Sequence, residues 1–515
     1  MESYILPETI SGMRVHFIGI KGTGMCALAE LFVRSGGRVS GSDRSEQFYT
    51  DEILKSLKIP YHEEFSADNI PPDADLVIYS AAYSPETNVE LQAALARSLP
   101  VLKYTDALGA YSRRFDSSGI AGVHGKTTTT ALTGTLLRAL ELPAQVLAGS
   151  AVGNFGGRST LVLGNRFFVA ETCEYRRHFL SFHPRRIILT SVESDHQDYY
   201  PTYESIRDAF VEYTGLLPEG GDLIYCADDR GASEVARLAQ KDRGDINLIP
   251  YGFTAEGTYK ITTMQNREER TLFTLQGFPV SFQLPVPGKH TVLNAVAALA
   301  LTLRIRKSYL EHNAADVWTA DRLRRCSRTG NNASELRSST VDEATLEVLR
   351  NALESFKGSK RRAEIIGESK GILFMDDYGH HPSAIKTTLE GLKAFYPRRR
   401  LVVSFMSHTY TRTAALLEEF AESLRSADMV VLHKIYGSAR EAYSGGITGR
   451  TLYEKVKTLQ DNVYYFEEVM DALPFLKQEL RNGDLFLTLG AGDNWKLGKA
   501  LYEELQHEEH DRLCL

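Results

Sequence analysis

The sequence has few cysteines and no spacing that would pair them. There are five, an odd number, at Cys26, Cys173, Cys226, Cys326 and Cys514, and no two of them form a C-x-x-C pair. Such usage is typical of a reducing compartment and gives no sign of a structural zinc site. We therefore expect a cytoplasmic protein without disulfides.

The sequence also lacks long apolar runs and a surplus of positive charge. It contains no run of about 18 apolar residues, and its first residues, MESYILPETISGMRV, do not place a basic segment before an apolar one. We therefore expect neither a membrane span nor a signal peptide. The formal net charge of −7 argues against a general nucleic-acid binder, because phosphate contacts favour a basic surface.

The chain does have length and a regular alternation of strand and helix patterns. Its 515 residues exceed one core, and about 150 residues per domain suggests three or four domains. Apolar runs that end at glycine or at an acid alternate with helically spaced segments, from RVHFIGI (14–20) to GDLFLTLGAGD (483–493). This alternation predicts an α/β protein built from successive α/β blocks.

Two stretches depart from this alternation. Residues 221–284 are polar and predict mainly strands, and 288–305 predict a helix. Residues 307–354 are rich in Ser, Thr and Asn, which favours a surface insertion or linker. At its end, helically spaced apolar residues such as Leu346 and Leu349 predict packing against the third domain.

A glycine-rich turn follows the first predicted strand. Gly22, Thr23 and Gly24, with Ala27 after them, fit G-x-G-x-x-[G/A], and Asp43 ends the next strand. Glycines there let the backbone approach a pyrophosphate at a helix N-terminus, where free N–H groups favour anions. The pattern favours binding of NAD or of another diphosphate such as a UDP-sugar over a tight turn that binds nothing.

A second glycine loop, GVHGKTTTT (122–130), places a lysine before a run of hydroxyl groups. The usual P-loop, G-x-x-x-x-G-K-[S/T], needs an earlier glycine that this chain lacks. Gly122 and Gly125 can still wrap phosphate oxygens, with Lys126 on the β- and γ-phosphates and Thr127 on Mg²⁺. Successive threonines form helices poorly, so a polar function explains them better than an exposed, unliganded turn does.

Acidic residues and a histidine follow the next two predicted strands, FFVAE (167–171) and RRIILTSVES (185–194). They are Glu171, Glu174, Glu193, Asp195, His196 and Asp198. Strand ends beside a phosphate loop are where an open α/β sheet binds its ligands. A carboxylate there could hold Mg²⁺ on ATP, and imidazole is a less typical ligand for that ion.

Two loops of the third domain combine aromatic, imidazole and charged groups. They are DDYGHHPSAIK (376–386) and SHTYTRT (407–413), and each follows a predicted strand. The first is too dense in polar groups to belong to a core. Both loops suit a polar, anionic substrate.

These stretches, in this order, resemble the Mur ligases of peptidoglycan synthesis, and most closely the branch that adds alanine. The family's phosphate loop is G-x-x-G-K-[S/T], which residues 122–127 fit. The segments GIKGTGM and VSGSD resemble its N-terminal UDP domain, and DDYGHHP and HTYTRT resemble motifs of the alanine-adding branch. The resemblance covers nearly the whole chain.

The resemblance implies a Rossmann-like UDP-substrate-binding domain (1–105), a P-loop-type ATP-binding central domain (106–325), a linker or insertion (326–355) and a Rossmann-like C-terminal ligase domain (356–515). It implies ATP-dependent ligation of L-alanine to the lactyl carboxylate of UDP-N-acetylmuramate through an acyl phosphate, a step in building the cell wall that sets cell shape and supports division. ATP and Mg²⁺ are the implied cofactors, and UDP-N-acetylmuramate and L-alanine the partners. We expect a cytoplasmic monomer or homodimer that neither binds nucleic acid nor inserts into a membrane.

The resemblance also implies roles for individual residues. The residues expected to act in catalysis are Lys126, His196, His380 and Arg412. Those expected at ATP are Gly122, His124, Gly125, Lys126, Thr127, Thr128, His290, Asn294 and Asp376, with Asp377 as the alternative to Asp376 at the ribose. Those expected at the UDP substrate are Gly22, Thr23, Gly24, Asp43, Ser80, Tyr378 and His408. The expected metal ligands are Thr127, Glu171 and His196.

Three features depart from the family's pattern. Ser191 stands where the family often has Asn, and Thr409 stands where it usually has an arginine. The second change leaves a substrate-facing cation missing or supplied from elsewhere. The connection at 307–354 is also longer than is usual in the family.

Other readings remain open on the sequence alone. An NAD-dependent oxidoreductase would explain the first glycine loop and Asp43, but not Lys126 with its flanking residues or Glu171. A non-catalytic nucleotide-binding regulator would leave the phosphate and metal groups without a task. Within the family, a ligase that attaches a recycled tripeptide differs from the alanine-adding branch only by motif.

Overall fold

A computed structural model gives the fold and describes residues 4–513 except 198, 268, 325–340 and 438–445. The chain forms two compact units. The first comprises Met1–Thr262, Thr274–Phe282 and Leu293–Phe356, and the second comprises Thr263–Phe273, Gln283–Val292 and Lys357–Leu515. Among the described residues, no helix is both long enough and apolar enough to cross a membrane.

The first unit begins with a parallel five-stranded sheet. Its strands are β1 (Arg14–Ile18), β2 (Arg38–Ser42), β3 (Tyr61–His62), β4 (Leu76–Tyr79) and β5 (Val101–Lys103), and its helices are α1 (Thr23–Arg34), α2 (Thr50–Ser56), α3 (Val89–Ala96) and α4 (Tyr104–Ser112). The strand order is β3-β2-β1-β4-β5, and every pair is parallel. The order reverses beside β1, which is where such sheets bind ligands.

A seven-stranded sheet forms the rest of the first unit's framework. Its strands are β6 (Asp116–Ala121), β7 (Ala144–Val152), β8 (Arg158–Val162), β9 (Phe167–Glu171), β10 (Arg186–Leu189), β11 (Asp222–Cys226) and β12 (Asn247–Tyr251). The helices are α5 (Lys126–Ala139), α6 (Tyr203–Thr214), α7 (Arg230–Asp242), α8 (Lys289–Arg324) and α9 (Glu343–Glu354), and the residues of α8 up to Val292 belong to the second unit. The order is β12-β11-β10-β6-β9-β7-β8, parallel except where β8 meets β7. Strands β6, β9 and β10 therefore end side by side.

A separate three-stranded sheet follows in the sequence. It consists of β13 (Ile261–Arg267), β14 (Arg270–Leu275) and β15 (Ser281–Leu284), in that order. Alternation of buried and exposed residues along β14 and β15 agrees with a sheet that has one covered face.

The second unit is built on a six-stranded sheet. Its strands are β16 (Glu364–Ser369), β17 (Ile372–Asp377), β18 (Arg400–Phe405), β19 (Met429–Leu432), β20 (Val463–Tyr465) and β21 (Asp484–Leu489), and its helices are α10 (Pro382–Phe395), α11 (Tyr410–Ala415), α12 (Leu417–Ser423), α13 (Gly449–Lys457), α14 (Leu473–Glu479) and α15 (Trp495–Leu513). The order is β16-β17-β21-β18-β19-β20, and only β16 is antiparallel to its neighbour among these pairs. Strands β17 and β21 are buried along their whole length, and apolar clusters line both faces of the sheet.

The structure corrects four expectations. Helix α8 continues to Arg324, although the polar composition after residue 305 predicted an insertion. Helix α9 buries Leu346 and Leu349 but packs on α5 in the first unit, so the predicted packing against the third domain is wrong. The β-rich stretch contains helix α7, which Asp229 caps by accepting from the Ala232 N–H, and strand β10 ends at Leu189 rather than near 194.

Candidate active site

The first glycine loop joins β1 to α1, with Gly22 at the helix cap. A Cβ on Gly24 would lie 2.8 Å from Cζ of Tyr104, so only glycine lets that ring pack on the loop. The Tyr49 hydroxyl donates to Oγ1 of Thr23 at 3.1 Å. Ser80 follows the neighbouring strand β4, and its backbone N–H donates to the Ile18 carbonyl. The sequence-predicted residues of this loop therefore lie together at one sheet edge.

Asp43 braces this loop from the end of β2. Its carboxylate accepts from the Lys21 N–H at 2.7 Å, from the Arg44 N–H at 2.9 Å and from the Tyr83 hydroxyl at 3.1 Å. Burial, together with the Asp43 charge, raises the pKa of Tyr83 to about 12, so this tyrosine remains a donor. Asp43 thus positions the loop backbone.

Lys21, the lysine of this loop, points away from the strand ends where a ligand would bind. The side chain of Lys21 is fully buried, and its Nζ lies 3.3 Å from Asp51 Oδ1 and 2.9 Å from Glu63 Oε1. Burial alone would lower the Lys21 pKa, but bonds to Glu63 and Asp51 outweigh it and hold the pKa above its usual value. Lys21 is a buried ion-pair residue within the first sheet domain.

The second glycine loop joins β6 to α5. Gly122 and Gly125 have φ of 135° and 84°, a region that L side chains rarely adopt. A Cβ on Gly122 would lie 2.1 Å from Thr190 Oγ1, and one on Gly125 would lie 2.6 Å from Asn294 Oδ1. The loop is therefore packed on the strand end of β10 and on α8, and it leads directly into the N-terminus of α5, where the free N–H groups of a helix favour anions.

Lys126 is anchored beside this loop by Glu174. Its Nζ donates to Glu174 Oε2 at 2.9 Å and Oε1 at 3.2 Å, and also to the carbonyls of Gly122 and Val123. Burial would lower the Lys126 pKa, yet the Glu174 charge raises it above the ordinary value, so the ammonium stays protonated. The same attraction outweighs burial for Glu174 and lowers its pKa.

Thr127 and Glu171 meet at the edge where metal binding was predicted. Thr127 Oγ1 donates to Glu171 Oε2 at 2.8 Å, and the Gly149 N–H donates to the same oxygen at 2.8 Å. A hydroxyl and a carboxylate are the oxygen donors that Mg²⁺ prefers, so this pair fits the predicted ion. Thr128 follows on the first turn of α5 and is half-buried.

His196 lies near these groups but contacts Glu174. Its Nε2 is 3.4 Å from Glu174 Oε1, and its ring centroid is 4.8 Å from that of Tyr175. Asp195 accepts from the His196 N–H at 2.7 Å. Asp198 lies outside the described residues. Glu174, one of the acids that follow the predicted strands, pairs with the Lys126 cation.

The residues before His196 bind the phosphate loop itself. Ser191, which departs from the family's usual Asn, accepts from the His124 N–H at 2.9 Å through its hydroxyl. Thr190 Oγ1 donates to the His124 carbonyl. The His124 imidazole Nε2 lies 2.7 Å from Glu193 Oε1. Ser191 thus retains a direct hydrogen bond to the loop.

A cavity of about 160 Å³ is lined by residues from both the five-stranded and the seven-stranded sheet regions of the first unit. Its lining includes Gly24 of the first glycine loop and Glu171 of the metal-binding pair, along with Tyr104, Gly149 and Cys173. Burial raises the pKa of Tyr104 well above its usual range, so its hydroxyl stays protonated. The cavity therefore joins a predicted diphosphate site to a predicted metal site.

The second unit gathers four aromatic rings at the ends of β17, β18 and β19. The centroids of Tyr378 and His380 are 5.3 Å apart, and those of His380 and His408 are 6.1 Å apart. His408 stacks on Tyr436 at 5.9 Å, and the two backbones form a parallel bridge. The three sequence-predicted rings therefore lie together, and Tyr436 joins them.

Two acids at the end of β17 have different partners. Asp376 accepts from Arg361 Nε at 2.9 Å and from Thr488 Oγ1 at 2.6 Å, while Asp377 accepts from the Ala363 and Gly379 N–H groups, each at 2.7 Å. Burial raises the pKa of Asp376 to about 6 despite the Arg361 charge. Asp376 is the acid of this pair that lies beside a guanidinium.

The segment after His408 has a strained backbone. Thr409 has φ of 67°, which is unusual for a β-branched residue. Its N–H donates to the Tyr436 carbonyl at 3.0 Å, and its carbonyl accepts from Thr413 Oγ1 at 2.7 Å. These bonds hold the start of α11, on which Arg412 is largely buried.

The two residues of α8 that are predicted to contact adenine belong to different units. Asn294 lies in the first unit against Gly125. His290 lies in the second unit, on the first turn of α8 and against Gly288. Each position agrees with the start of the predicted helix.

Sequence reasoning missed three residues of these clusters. Arg361 spans Asp376 and the Gly490 carbonyl, Tyr436 stacks on His408, and Tyr104 covers Gly24. Two of them carried a signal, since Tyr104 directly follows β5 and Tyr436 lies in the loop after the buried β19. Arg361 belongs to a K-R-R run just before a strand, and such a run of charges predicts a solvent-exposed segment.

Comparison with known proteins gives a family match over most of the chain. Residues 14–116 match the Mur ligase family, catalytic domain, residues 120–302 the Mur ligase middle domain, and residues 361–492 the Mur ligase, glutamate ligase domain. A UDP-N-acetylmuramate–L-alanine ligase of Treponema pallidum is 50% identical over 509 residues, 99% of this chain and 100% of that protein. One from Borreliella burgdorferi is 37% identical, covering 94% of this chain and 97% of its own.

Solved structures show the same architecture. The UDP-N-acetylmuramate-alanine ligase MurC from Thermotoga maritima aligns with a TM-score of 0.72 and 25% identity, covering 96% of this chain and 100% of its own. A murein peptide ligase from Psychrobacter arcticus aligns at 0.62 with 21% identity, over 96% of this chain and 99% of its own, and supports the fold alone.

Proposed function

Because the chain belongs to the Mur ligase family, whose members are ATP-dependent ligases, we propose that it joins L-alanine to the lactyl carboxylate of UDP-N-acetylmuramate in peptidoglycan precursor synthesis. The observation that carries this function is 50% identity over essentially the whole chain to a protein of that activity. The glycine loops and the cavity that joins them suit the same reaction.

In this proposal the first glycine loop binds the UDP diphosphate. The N-terminus of α1 offers free N–H groups, and Asp43 keeps the loop backbone in place. Thr23 and Ser80 add hydroxyl groups at the same sheet edge. The sugar and its lactyl arm extend from there into the cavity, which Gly24 and Glu171 both line.

The second glycine loop binds the ATP phosphates. Backbone N–H groups at Gly125 and the start of α5 contact the phosphate oxygens, and the Lys126 ammonium stabilises the charge that develops during phosphoryl transfer. Thr127 and Glu171 would hold Mg²⁺, with His196 as a further ligand nearby. When bound, the ion neutralises phosphate charge and orients the transferring phosphoryl group.

The reaction then follows from charge and proximity. The lactyl carboxylate attacks the γ-phosphorus, ADP leaves, and an acyl phosphate forms. The neutral amine of alanine attacks the acyl carbon, phosphate leaves, and the nitrogen loses its proton to give the amide. Exclusion of water protects the acyl phosphate between these steps.

The second unit supplies the remaining predicted contacts. We assign Tyr378, His380, His408 and Arg412 to the muramoyl end of the substrate and Asp376 to the ATP ribose. Half-buried aromatic and imidazole groups beside a cation suit a sugar bearing anionic arms. We further propose that the protein is a monomer or homodimer and that it acts in the cytoplasm, where ATP and a nucleotide-activated sugar are both available.

The test is a product assay on the purified full-length chain. ATP, Mg²⁺ and UDP-N-acetylmuramate are mixed in turn with L-alanine, L-serine, glycine and the tripeptide L-alanyl-γ-D-glutamyl-meso-diaminopimelate, and phosphate release and product mass are measured. We expect the largest kcat/KM with L-alanine and a product heavier by one alanyl residue.

Other outcomes would contradict the proposal. Preference for the tripeptide would place the chain in the recycling branch, an alternative that a 21% identical neighbour does not decide. Tight NAD binding without ATP hydrolysis would favour the oxidoreductase reading, which no observation supports.

A further inference from the structure

The Glu174 carboxylate is buried and has two cationic or imidazole partners. Only 2% of the residue is exposed. One oxygen, Oε2, lies 2.9 Å from Lys126 Nζ, and the other, Oε1, lies 3.4 Å from His196 Nε2 and 3.2 Å from the same ammonium. A single carboxylate therefore lies between the phosphate lysine and the predicted metal histidine.

The main chain of Glu174 is fixed as firmly as its side chain. Its carbonyl accepts from the Tyr200 hydroxyl at 2.6 Å and from the Arg177 N–H at 2.9 Å. Tyr200 is 3% exposed, and its own N–H donates to the His196 carbonyl at 2.7 Å. The segment that carries His196 is thus tied to Glu174 at two points.

The backbone of His196 depends on this arrangement. His196 has φ of 53°, a left-handed conformation that costs free energy for a non-glycine residue. Its carbonyl accepts from both the Tyr199 and Tyr200 N–H groups, at 2.8 Å and 2.7 Å. These bonds hold the turn in a form that aims the imidazole at the Glu174 carboxylate.

We propose that Glu174 is a positioning residue of the ligase reaction, setting the direction of the Lys126 ammonium and the orientation of the His196 imidazole through one buried carboxylate. The proposal rests on the function proposed above. Glu174 acts through Lys126 and His196 and is not assigned to the reacting atoms. Groups that orient primary contacts typically change activity by about 10- to 100-fold when removed.

The test uses Glu174→Gln, which keeps the shape but removes the charge. We expect kcat for alanine-dependent phosphate release to fall about 10- to 100-fold, as for other supporting groups. The KM for ATP should stay the same or fall, because an anion near a polyanionic ligand is lost and the missing contact matters in the transition state.

Two further variants keep the test informative if that protein folds poorly. Glu174→Asp keeps the charge with a shorter reach, so we expect it to recover part of the lost kcat. Tyr200→Phe removes the hydrogen bond to the Glu174 carbonyl and leaves every charge in place. It should lower kcat in the same direction, but less than Glu174→Gln does.

Asp222→Asn is the matched control. Asp222 is also a buried carboxylate, and it accepts from Arg304 Nη2 at 2.7 Å and Nε at 2.8 Å. Asp222 is the first residue of β11, whereas the phosphate loop follows the last residue of the parallel strand β6. The two therefore lie at opposite ends of the strands. We expect this variant to lower the thermal midpoint and to leave kcat unchanged.

The outcomes separate this proposal from the proposed function. Wild-type protein without ligase activity would refute the proposed function itself. Active wild type, with Glu174→Gln and Asp222→Asn both losing only thermal stability, would overturn the positioning role. So would an ATP KM that rises in Glu174→Gln while kcat stays at the wild-type value.

Discussion

Each of the two glycine loops in the first unit joins a buried parallel strand to a helix, and each has a lysine beside its glycines. Lys21 turns inward and pairs with Asp51 and Glu63, with no exposed side-chain surface. Lys126 stays at the strand-end edge, 12% exposed, and pairs with Glu174. The same local pattern therefore gives one lysine a structural task and the other a place beside the phosphate loop.

The partner acids explain the difference. Asp51 lies on α2 and Glu63 follows β3, so they draw Lys21 away from the loop edge. Glu174 follows β9, which is adjacent to β6 in the sheet, and therefore keeps Lys126 where strand ends and helix start meet. The positions of the partner acids therefore decide whether the lysine of a glycine loop stays at the strand-end edge or turns into the protein.

The largest effect expected from this comparison is in Lys126→Ala. The substitution removes the cation aimed at the transferring phosphoryl group, and losing one such contact typically lowers kcat by about 10²–10³. Alanine-dependent phosphate release measures it, with the thermal midpoint as control. Activity within a few-fold of wild type would show that Lys126 has no part in phosphoryl transfer.

A smaller effect, on the other loop, is expected for Asp43→Ala. The change removes an acceptor of three hydrogen bonds, and a bond to a charged group is worth about 1.5–3 kcal/mol. The KM for UDP-N-acetylmuramate should rise by about tenfold or more, since 1.4 kcal/mol is tenfold, and the KM for ATP should stay constant. Equal rises in both KM values would mean that the two loops are not separate sites.

Lys21→Met tests the structural role of the first loop's lysine. It leaves the buried Asp51 and the half-exposed Glu63 without their ammonium, and because Glu63 is solvated we expect a stability loss of about 1–3 kcal/mol, below that of a fully buried pair. Urea unfolding measures that loss. Both kcat and the KM for the UDP substrate should remain at wild-type values, and a large KM increase would instead assign Lys21 to the diphosphate.

The smallest effect is expected for Thr409→Arg in the second unit. Arginine is not β-branched and accepts the left-handed φ of 67° more readily than threonine does. It also restores a cation at a position where the family usually has one. We expect a few-fold lower KM for UDP-N-acetylmuramate with kcat unchanged, whereas a raised KM would show that another group already occupies that place.

The sequence was sufficient for the parts of the site that are encoded locally. Gly122, Lys126 and Thr127 belong to one short motif, and β6 and α5 flank it as predicted because apolar runs and helical spacing adjoin it. The α/β class and the family membership followed from the same motifs. These features need no knowledge of which strands are neighbours.

The rest depended on contacts between distant residues. The sequence grouped Glu174 with possible metal-binding acids. Its pairing with Lys126, 48 residues earlier, arises from the adjacency of β6 and β9 in the sheet, which no local pattern reveals. The packing of α9 on α5 likewise could not be read from its apolar spacing, which gives a face but no partner. The domain boundaries and the roles assigned to individual site residues stay predictions.

The central claim is that ATP activates the lactyl carboxylate of the UDP substrate, and an isotope transfer tests it most directly. UDP-N-acetylmuramate labelled with ¹⁸O in that carboxylate is incubated with the protein, ATP, Mg²⁺ and L-alanine, and the released phosphate is analysed by mass spectrometry. The account predicts that each phosphate released in ligation carries one ¹⁸O atom from the carboxylate. Phosphate without the label, released while the labelled amide forms, would contradict an acyl-phosphate reaction and the assignment of both glycine loops to it.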